Sequence, residues 1–413
     1  MPIRFFMIRE KERRKIVLKK GSFKKGLFTG MAISTSVFVV LLLILGVYLK
    51  TTFGFLDGSV LSKLAVINTV LDQYYYQDID DETKINSLYK GLVESAGDDY
   101  TVYYTPEEYQ EFLISTTGTY AGIGAVLSQD KSTKEVTIKQ VYEGSPAEEA
   151  GLQMGDVIVS VDDYTATDYE LDEFVSHIRG DEGTTLEMTY TRDGEEKTVT
   201  VTRGNITVPS VSYQMLDGGI GYVQINSFSN DTLEEYEAAM SDLTNQGMKA
   251  VIYDLRSNGG GLVDSVTAIL DEILPGGTTV YMLDKDGNRT DYTSDEETKI
   301  DIPITVLTSE YTASSAEIFT GAIQDFDYGT IIGTQTFGKG IVQTTIPFTD
   351  GSALKVTTSR YYTPSGTCIH GVGITPDIEL PFEFMGSSED EYSIDLDNQI
   401  QKAIEVLQGE LGE

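Results

Sequence analysis

Ala250-Val-Ile-Tyr-Asp-Leu-Arg-Ser-Asn-Gly-Gly-Gly-Leu262 decides how the chain is built. Ala250 to Leu255 is apolar at every position but Asp254, as expected of a strand buried on both faces. The glycines then turn the chain, and Leu262 to Ile273 carries apolar residues at helical spacing. A strand passing through a glycine turn into a helix is the unit of an α/β layered core. The same turn aims backbone N–H groups outward at a helix N-terminus. Such a turn could cradle a phosphate, but no P-loop Lys-[ST] follows Gly261, and an oxyanion hole fits better.

The alternation continues on both sides. Ile220–Ile225, Ile304–Leu307 and Gly329–Gly333 read as strands, and Leu233–Leu243 and Ala316–Phe326 as helices. Residues 206–385 are therefore expected to form an α/β core, a mixed sheet with packed helices. Upstream, 119–205 is β-rich. Strands are expected at Val136–Val141, Gly155–Val161, Thr185–Tyr190 and Thr198–Thr202, with Asp193-Gly194 as a hairpin turn and a short helix at Leu171–Ile178. Residues 50–118 read as a helical arm, in which Thr105-Pro106-Glu107-Glu108 marks a helix start. Residues 386–413 are an acidic stretch and a helix at Leu396–Leu411.

The first 25 residues hold ten Lys or Arg and two acids, and Gly26–Leu49 follows without a charge. Those 24 residues span about 36 Å as a helix, more than a hydrocarbon core of about 30 Å. Residues 26–49 are read as one transmembrane helix, with 1–25 a cytoplasmic basic tail and the rest outside the cytoplasm. No A-x-A-like site follows, so the segment is read as an uncleaved anchor. The formal charge is −35; without the first 25 residues, which carry +8, the remainder stands at −43. Such acidity disfavours nucleic acid as a partner. Cys368 is the only cysteine, and His177 and His370 are the only histidines. No internal disulfide can form, and neither a metal nor a cofactor is expected.

Two further segments carry chemistry. In Tyr311-Thr-Ala-Ser-Ser-Ala-Glu-Ile318 a strand delivers serines to the start of a helix, where the dipole favours a developing alkoxide. Ser314-x-x-Glu317 also matches a capping box, which would leave the serine only structural. In Thr336-Phe-Gly-Lys-Gly-Ile-Val-Gln343 a lysine sits between glycines in an apolar setting. Burial there would lower its pKa and make it a base; a solvated turn is the alternative. Neither histidine is marked as a base, and a Ser-Lys dyad needs none. Thr119-Tyr-Ala-Gly-Ile-Gly-Ala125 is a separate glycine loop whose N–H groups can converge on an anion.

Gly144-Ser-Pro-Ala-Glu-Glu-Ala-Gly-Leu-Gln-Met-Gly-Asp-Val-Ile-Val-Ser-Val161 resembles the PDZ-domain run G-S-P-A-x-x-A-G-L-x-x-G-D-x-I-x-x-V. The resemblance implies that Ala121, Gly122, Ile123 and Gly124 hold a peptide carboxylate; His177 is read as packing. Asp254–Gly261, Ala313–Glu317, Phe337–Gln343, Tyr361–Gly366, Gly371–Asp377 and Gly97–Thr101 together resemble the C-terminal processing peptidases, over nearly all of 55–385. That resemblance implies a crotonase-like core with an inserted PDZ domain. The family's spacing of 25 residues from nucleophile to lysine selects Ser314 over Ser315, with Lys339 as base. It further implies Gln343 as the residue orienting the amine, Ser315 with Gly260 or Gly261 as oxyanion donors, and Asp325 as structural. Substrates would be extracytoplasmic proteins or peptides with accessible C-terminal tails, and a homodimer through the arm and the C-terminal tail is compatible with the family. Gly259, Thr312, Ala316 and Thr367–His370 depart from the family pattern. The rival readings are a catalytically inactive, anchored PDZ adaptor and a phosphate-binding domain built on Asn258–Gly261.

Overall fold

The computed structural model describes residues 20–52, 54–295, 297, 300–387 and 392–412. Most of the basic tail 1–25 lies outside the described residues. The chain forms two compact units that divide between Ile85 and Asn86.

In the first unit a helix runs over Lys20–Thr52. Its stretch Lys24–Thr52 is long and apolar enough to cross a membrane, with mean hydropathy 2.5 and no part of that stretch buried in protein. Asp57 then accepts hydrogen bonds from the amides of Ser59 and Val60 and so caps the helix Gly58–Tyr74. Leu61, Val66, Ile67 and Val70 on that helix are exposed.

The second unit, from Asn86 on, contains the helix Pro106–Thr117. As its sequence requires, Thr105 and Glu108 form a reciprocal capping box with Pro106 at the helix start. The arm is not wholly helical: Val102–Tyr104 is a strand, paired antiparallel with Ala353–Tyr362.

The β-rich domain is a sheet in the order Ala125–Gln129, Val136–Val141, Val157–Val161, Thr185–Arg192, Glu195–Thr202. Asp193 and Gly194 both have positive φ, 55° and 79°, as a two-residue primed turn demands. Ile138, Val161, Phe174 and Met188 are fully buried and fill its core. The strand Thr119–Gly122 pairs instead with Gly204–Thr207, so both ends of the domain leave through one ladder.

The α/β core is a six-stranded sheet in the order Val211–Leu216, Ile220–Ile225, Ala250–Asp254, Ile304–Thr308, Thr330–Gly333, Ile378–Glu379. The first pair is antiparallel and the others parallel. Alternate residues of the opening motif serve opposite faces. Val251, Tyr253 and Leu255 meet the helices Val263–Ile273 and Ser315–Asp325. Ala250 and Ile252 meet the C-terminal helix Asn398–Leu411. Burial on both faces is why the run is uniformly apolar.

A second, antiparallel sheet joins Val102–Tyr104, Ala353–Tyr362, Gly277–Asp284 and Arg289–Ser294, with Ile341–Pro347 also on Ala353–Tyr362. The sequence reading lacked this sheet. It brings the residues after Lys339 alongside the arm.

Candidate active site

The glycine turn, the serine turn and the lysine loop meet in one cleft. A cavity of about 580 Å³ is lined by Ser314, Gly261, Lys339, Gln343, Lys355 and Tyr361, among others. Gly260 permits the first approach: a Cβ there would stand 2.7 Å from the Ser314 Cβ and 3.0 Å from the Ser315 nitrogen. At Gly261, φ is 145° and a Cβ would fall 2.1 Å from the Phe228 carbonyl oxygen. No side chain fits either position.

Ser314 precedes the helix Ser315–Asp325 with φ 57° and ψ −120°. A non-glycine residue pays steric strain there, of order 1–3 kcal/mol, and holds it only where neighbours over-determine the backbone. They do so here. The Ser314 N–H donates to Glu317 Oε2 at 2.9 Å. Its carbonyl oxygen accepts from the buried Tyr361 hydroxyl at 2.9 Å. The amides of Glu317 and Ile318 also reach that carbonyl, at 2.8 and 3.1 Å. Ser314 and Glu317 are arranged as the reciprocal capping box that the sequence offers, and the Glu317 amide also has the Ser314 carbonyl as acceptor.

The two glycine amides expected to face an oxyanion differ. Gly260 N–H donates to Asn258 Oδ1 at 2.8 Å, and Asn258 is fully buried. That expectation is corrected: the Gly260 donor is already satisfied inside the turn. Gly261 N–H and Ser315 N–H have no acceptor among the described residues. Ser315 Oγ donates to the Gly261 carbonyl at 2.8 Å and ties the two turns together. Thr312, one of the departures from the family pattern, is fully buried and donates to the Leu255 carbonyl at 2.8 Å. It fastens the serine turn to the end of the central strand.

The Lys339 ammonium lies 4.8 Å above the Tyr100 ring. No hydrogen bond joins it to Ser314 or Gln343 among the described residues. Burial pushes the amine below the ordinary lysine range and Lys355 adds to this, while Glu317 and Asp98 pull the other way. Lys355 stands beside the stacked rings of Tyr104 and Phe112, 5.2 and 5.0 Å from their centroids. Gln343 Nε2 donates to Thr357 Oγ1 at 3.3 Å. The Thr357 N–H in turn reaches Thr101, which bonds Asp98 at 2.6 Å. Asp325 is exposed and accepts from Ser365 N–H at 2.7 Å, outside the cleft lining.

Reading the sequence did not place Tyr100 against Lys339 or Lys355 and Tyr361 in the cleft, and took Glu317 only as a helix cap. Tyr100 and Tyr361 lie inside quoted motifs, which was the available signal. Lys355 carried none, because its place depends on the antiparallel sheet.

In the β-rich domain, Ala121 and Gly122 belong to the ladder with Gly204–Thr207. Ile123 and Gly124 follow it, and their N–H groups have no acceptor among the described residues. Their carbonyls accept from Ala147 and Tyr142 at 2.8 and 2.9 Å. The next strand, Ala125–Gln129, is the edge of its sheet. His177 stacks on Tyr164 with ring centroids 3.7 Å apart, a packing contact.

Residues 219–380 match the model of peptidase family S41, and residues 121–202 match that of the PDZ domain. A "Probable CtpA-like serine protease" of Staphylococcus epidermidis is 34% identical over 354 residues, which cover 85% of this chain and 72% of that protein. The protein of the same name in Staphylococcus aureus strain COL is 37% identical over 328 residues, 78% of this chain and 65% of that protein. A solved Bacteroides fragilis structure assigned to S41 covers 83% of this chain and 97% of its own at TM-score 0.51; at 18% identity it speaks to the fold alone. The serine-bearing cleft, the PDZ domain and the extent of these matches agree: the chain belongs to the CtpA-like serine proteases of peptidase family S41.

Proposed function

We propose that this chain is a membrane-anchored serine endopeptidase that captures C-terminal tails on its PDZ domain and cleaves them with a Ser314–Lys339 dyad. The observation that carries the reading is the shared cleft: a strained serine, an unpaired, partly desolvated lysine and two unsatisfied amides line or adjoin one cavity. Neutral Lys339 takes the Ser314 proton, and the Ser314 oxygen attacks the peptide carbonyl. The N–H groups of Ser315 and Gly261 receive the oxyanion. Lys339, now charged, protonates the leaving amine, and water hydrolyses the acyl-enzyme. Gln343 orients the amine once it leaves Tyr100. Ala121 to Gly124 receive the tail carboxylate, chiefly through the Ile123 and Gly124 amides, and the tail adds to the edge strand Ala125–Gln129.

The remaining architecture follows from the same reading. The helix over 26–49 is an uncleaved anchor, with residues 1–25 cytoplasmic and the PDZ domain (119–205) and crotonase-like peptidase core (206–385) outside. The arm (50–118) and the C-terminal segment (386–413) flank them and offer surfaces for a homodimer.

The test is cleavage of an unfolded tail substrate by the full-length chain. Ser314→Ala and Lys339→Ala are each expected to lower kcat by at least about 1,000-fold. Retained cleavage in either variant refutes the dyad. Tight tail binding by the unaltered chain without any turnover would instead establish the inactive adaptor.

A further inference from the structure

Glu317 lies on the helix one turn beyond Ser314, is fully buried, and has no ion-pair partner among the described residues. Its carboxylate accepts four hydrogen bonds. Oε2 takes the N–H of Ser314 at 2.9 Å and the N–H of Lys339 at 2.8 Å. Oε1 takes the Thr336 hydroxyl at 2.6 Å and the Gly338 N–H at 2.7 Å. One oxygen atom therefore holds the backbone of both proposed catalytic residues, which arrive on separate segments of the chain.

We propose that Glu317 is a positioning residue that locks the serine turn to the lysine loop and stabilises the Lys339 ammonium formed during the reaction. This rests on the dyad reading above. A buried carboxylate needs its lost water replaced, and four donors do that without a cation. The choice of donors matters. A carboxylate paired directly with the Lys339 ammonium would hold the base protonated, whereas one that grips the Lys339 backbone leaves the amine free to exchange its proton. Its charge still acts across the cleft on the amine, alongside Asp98, and against Lys355 and burial; Tyr100 faces the same amine.

All four partners are donors, so Glu317→Gln is not conservative: its NH₂ would confront two of them. In the full-length chain, this variant is expected to lower kcat by roughly 100-fold, with KM changed by less than about threefold. The rising limb of kcat/KM against pH follows deprotonation of Lys339. Loss of the anion makes Lys339 harder to protonate, so the limb moves to lower pH. A role confined to folding would lower the melting temperature or the titre of active sites and leave the limb in place. A folded Glu317→Gln protein with unchanged kcat, or with an unmoved limb, overturns the proposal.

If that variant does not fold, Thr336→Val carries the test. It removes one donor to the carboxylate, together with the acceptor of the Ile374 N–H, and keeps the charge. It should cost about tenfold in kcat with the limb unmoved, and Thr336→Ser, which keeps both bonds, should recover most of the loss. Thr336→Val with the unaltered kcat overturns the proposal. Lys339→Ala retaining full activity would strike the dyad itself, a distinguishable failure.

Discussion

Two carboxylate centres sit on opposite faces of the same sheet and are satisfied in opposite ways. Toward the C-terminal helix, Asp254 and Asp397 are buried against Arg256, with N–O distances of 2.6 and 2.7 Å. Arg256 also reaches Gln399, and Tyr222 donates to Asp254 at 2.7 Å. Toward the helix Ser315–Asp325, Glu317 is equally buried but is held by backbone amides and a hydroxyl. The first arrangement joins charges and fastens one element, the C-terminal helix, to the strand that leads into the glycine turn. The second joins no cation among the described residues and fastens two loops, one of which carries the lysine proposed as base. A scaffold can fix a guanidinium permanently, since it never titrates. A site that needs a titrating amine keeps its anion off that amine.

Arg256→Met should separate the two centres most strongly. It leaves Asp254 and Asp397 buried without their cation, a change that costs about 3–5 kcal/mol. The peptidase core should lose that stability in denaturant titration, while any molecules still folded keep the pH limb of kcat/KM. A limb that moves would mean the two centres are not distinct.

Tyr361→Phe addresses the other side of the Ser314 peptide. It removes the hydroxyl that donates to the Ser314 carbonyl. The loss is expected to be about 1 kcal/mol, or roughly fivefold in kcat, with little change in KM. An unaltered kcat would show that the strained serine is held without Tyr361, by Glu317 and the helix amides.

Lys355→Met is the mildest change and reads charge alone. Lys355 opposes protonation of Lys339. Without it Lys339 binds its proton more readily, so the rising limb of kcat/KM shifts to higher pH. This is opposite in sign to Glu317→Gln, and the two profiles measured together sharpen the contrast. A shift to lower pH would contradict the electrostatics described for the cleft.

Much of this fold was legible where local sequence and burial agree. Ala250–Asp254 announced itself because both of its faces are buried, and the Asp193-Gly194 turn because few other residue pairs tolerate positive φ twice. Two core helices were placed to within one residue at each end: Leu262–Ile273 was expected and Val263–Ile273 is present; Ala316–Phe326 was expected and Ser315–Asp325 is present. The antiparallel sheet was not legible. Strands such as Arg289–Ser294 and Ala353–Tyr362 are largely partly buried or exposed and rich in Thr, Ser and Arg, so no apolar run marks them.

In the cleft, the identities of its residues were easier to read than their bonding. Ser314-x-x-Glu317 looks like a cap because a cap is a local pattern, yet three of the four Glu317 partners lie 19 to 22 residues downstream. Gly260 and Gly261 are adjacent and alike in sequence; only the folded turn shows Asn258 taking the first amide. Lys339 could be read as buried, but its rest against Tyr100 depends on an arm residue far away in the chain.

The most direct measurement is covalent labelling of the full-length chain with a fluorophosphonate probe, followed by mass spectrometry of the modified peptide. A stoichiometric adduct on Ser314, lost in Lys339→Ala, is the predicted result. An adduct on Ser315, or undiminished labelling of Ser314 without Lys339, would contradict the dyad.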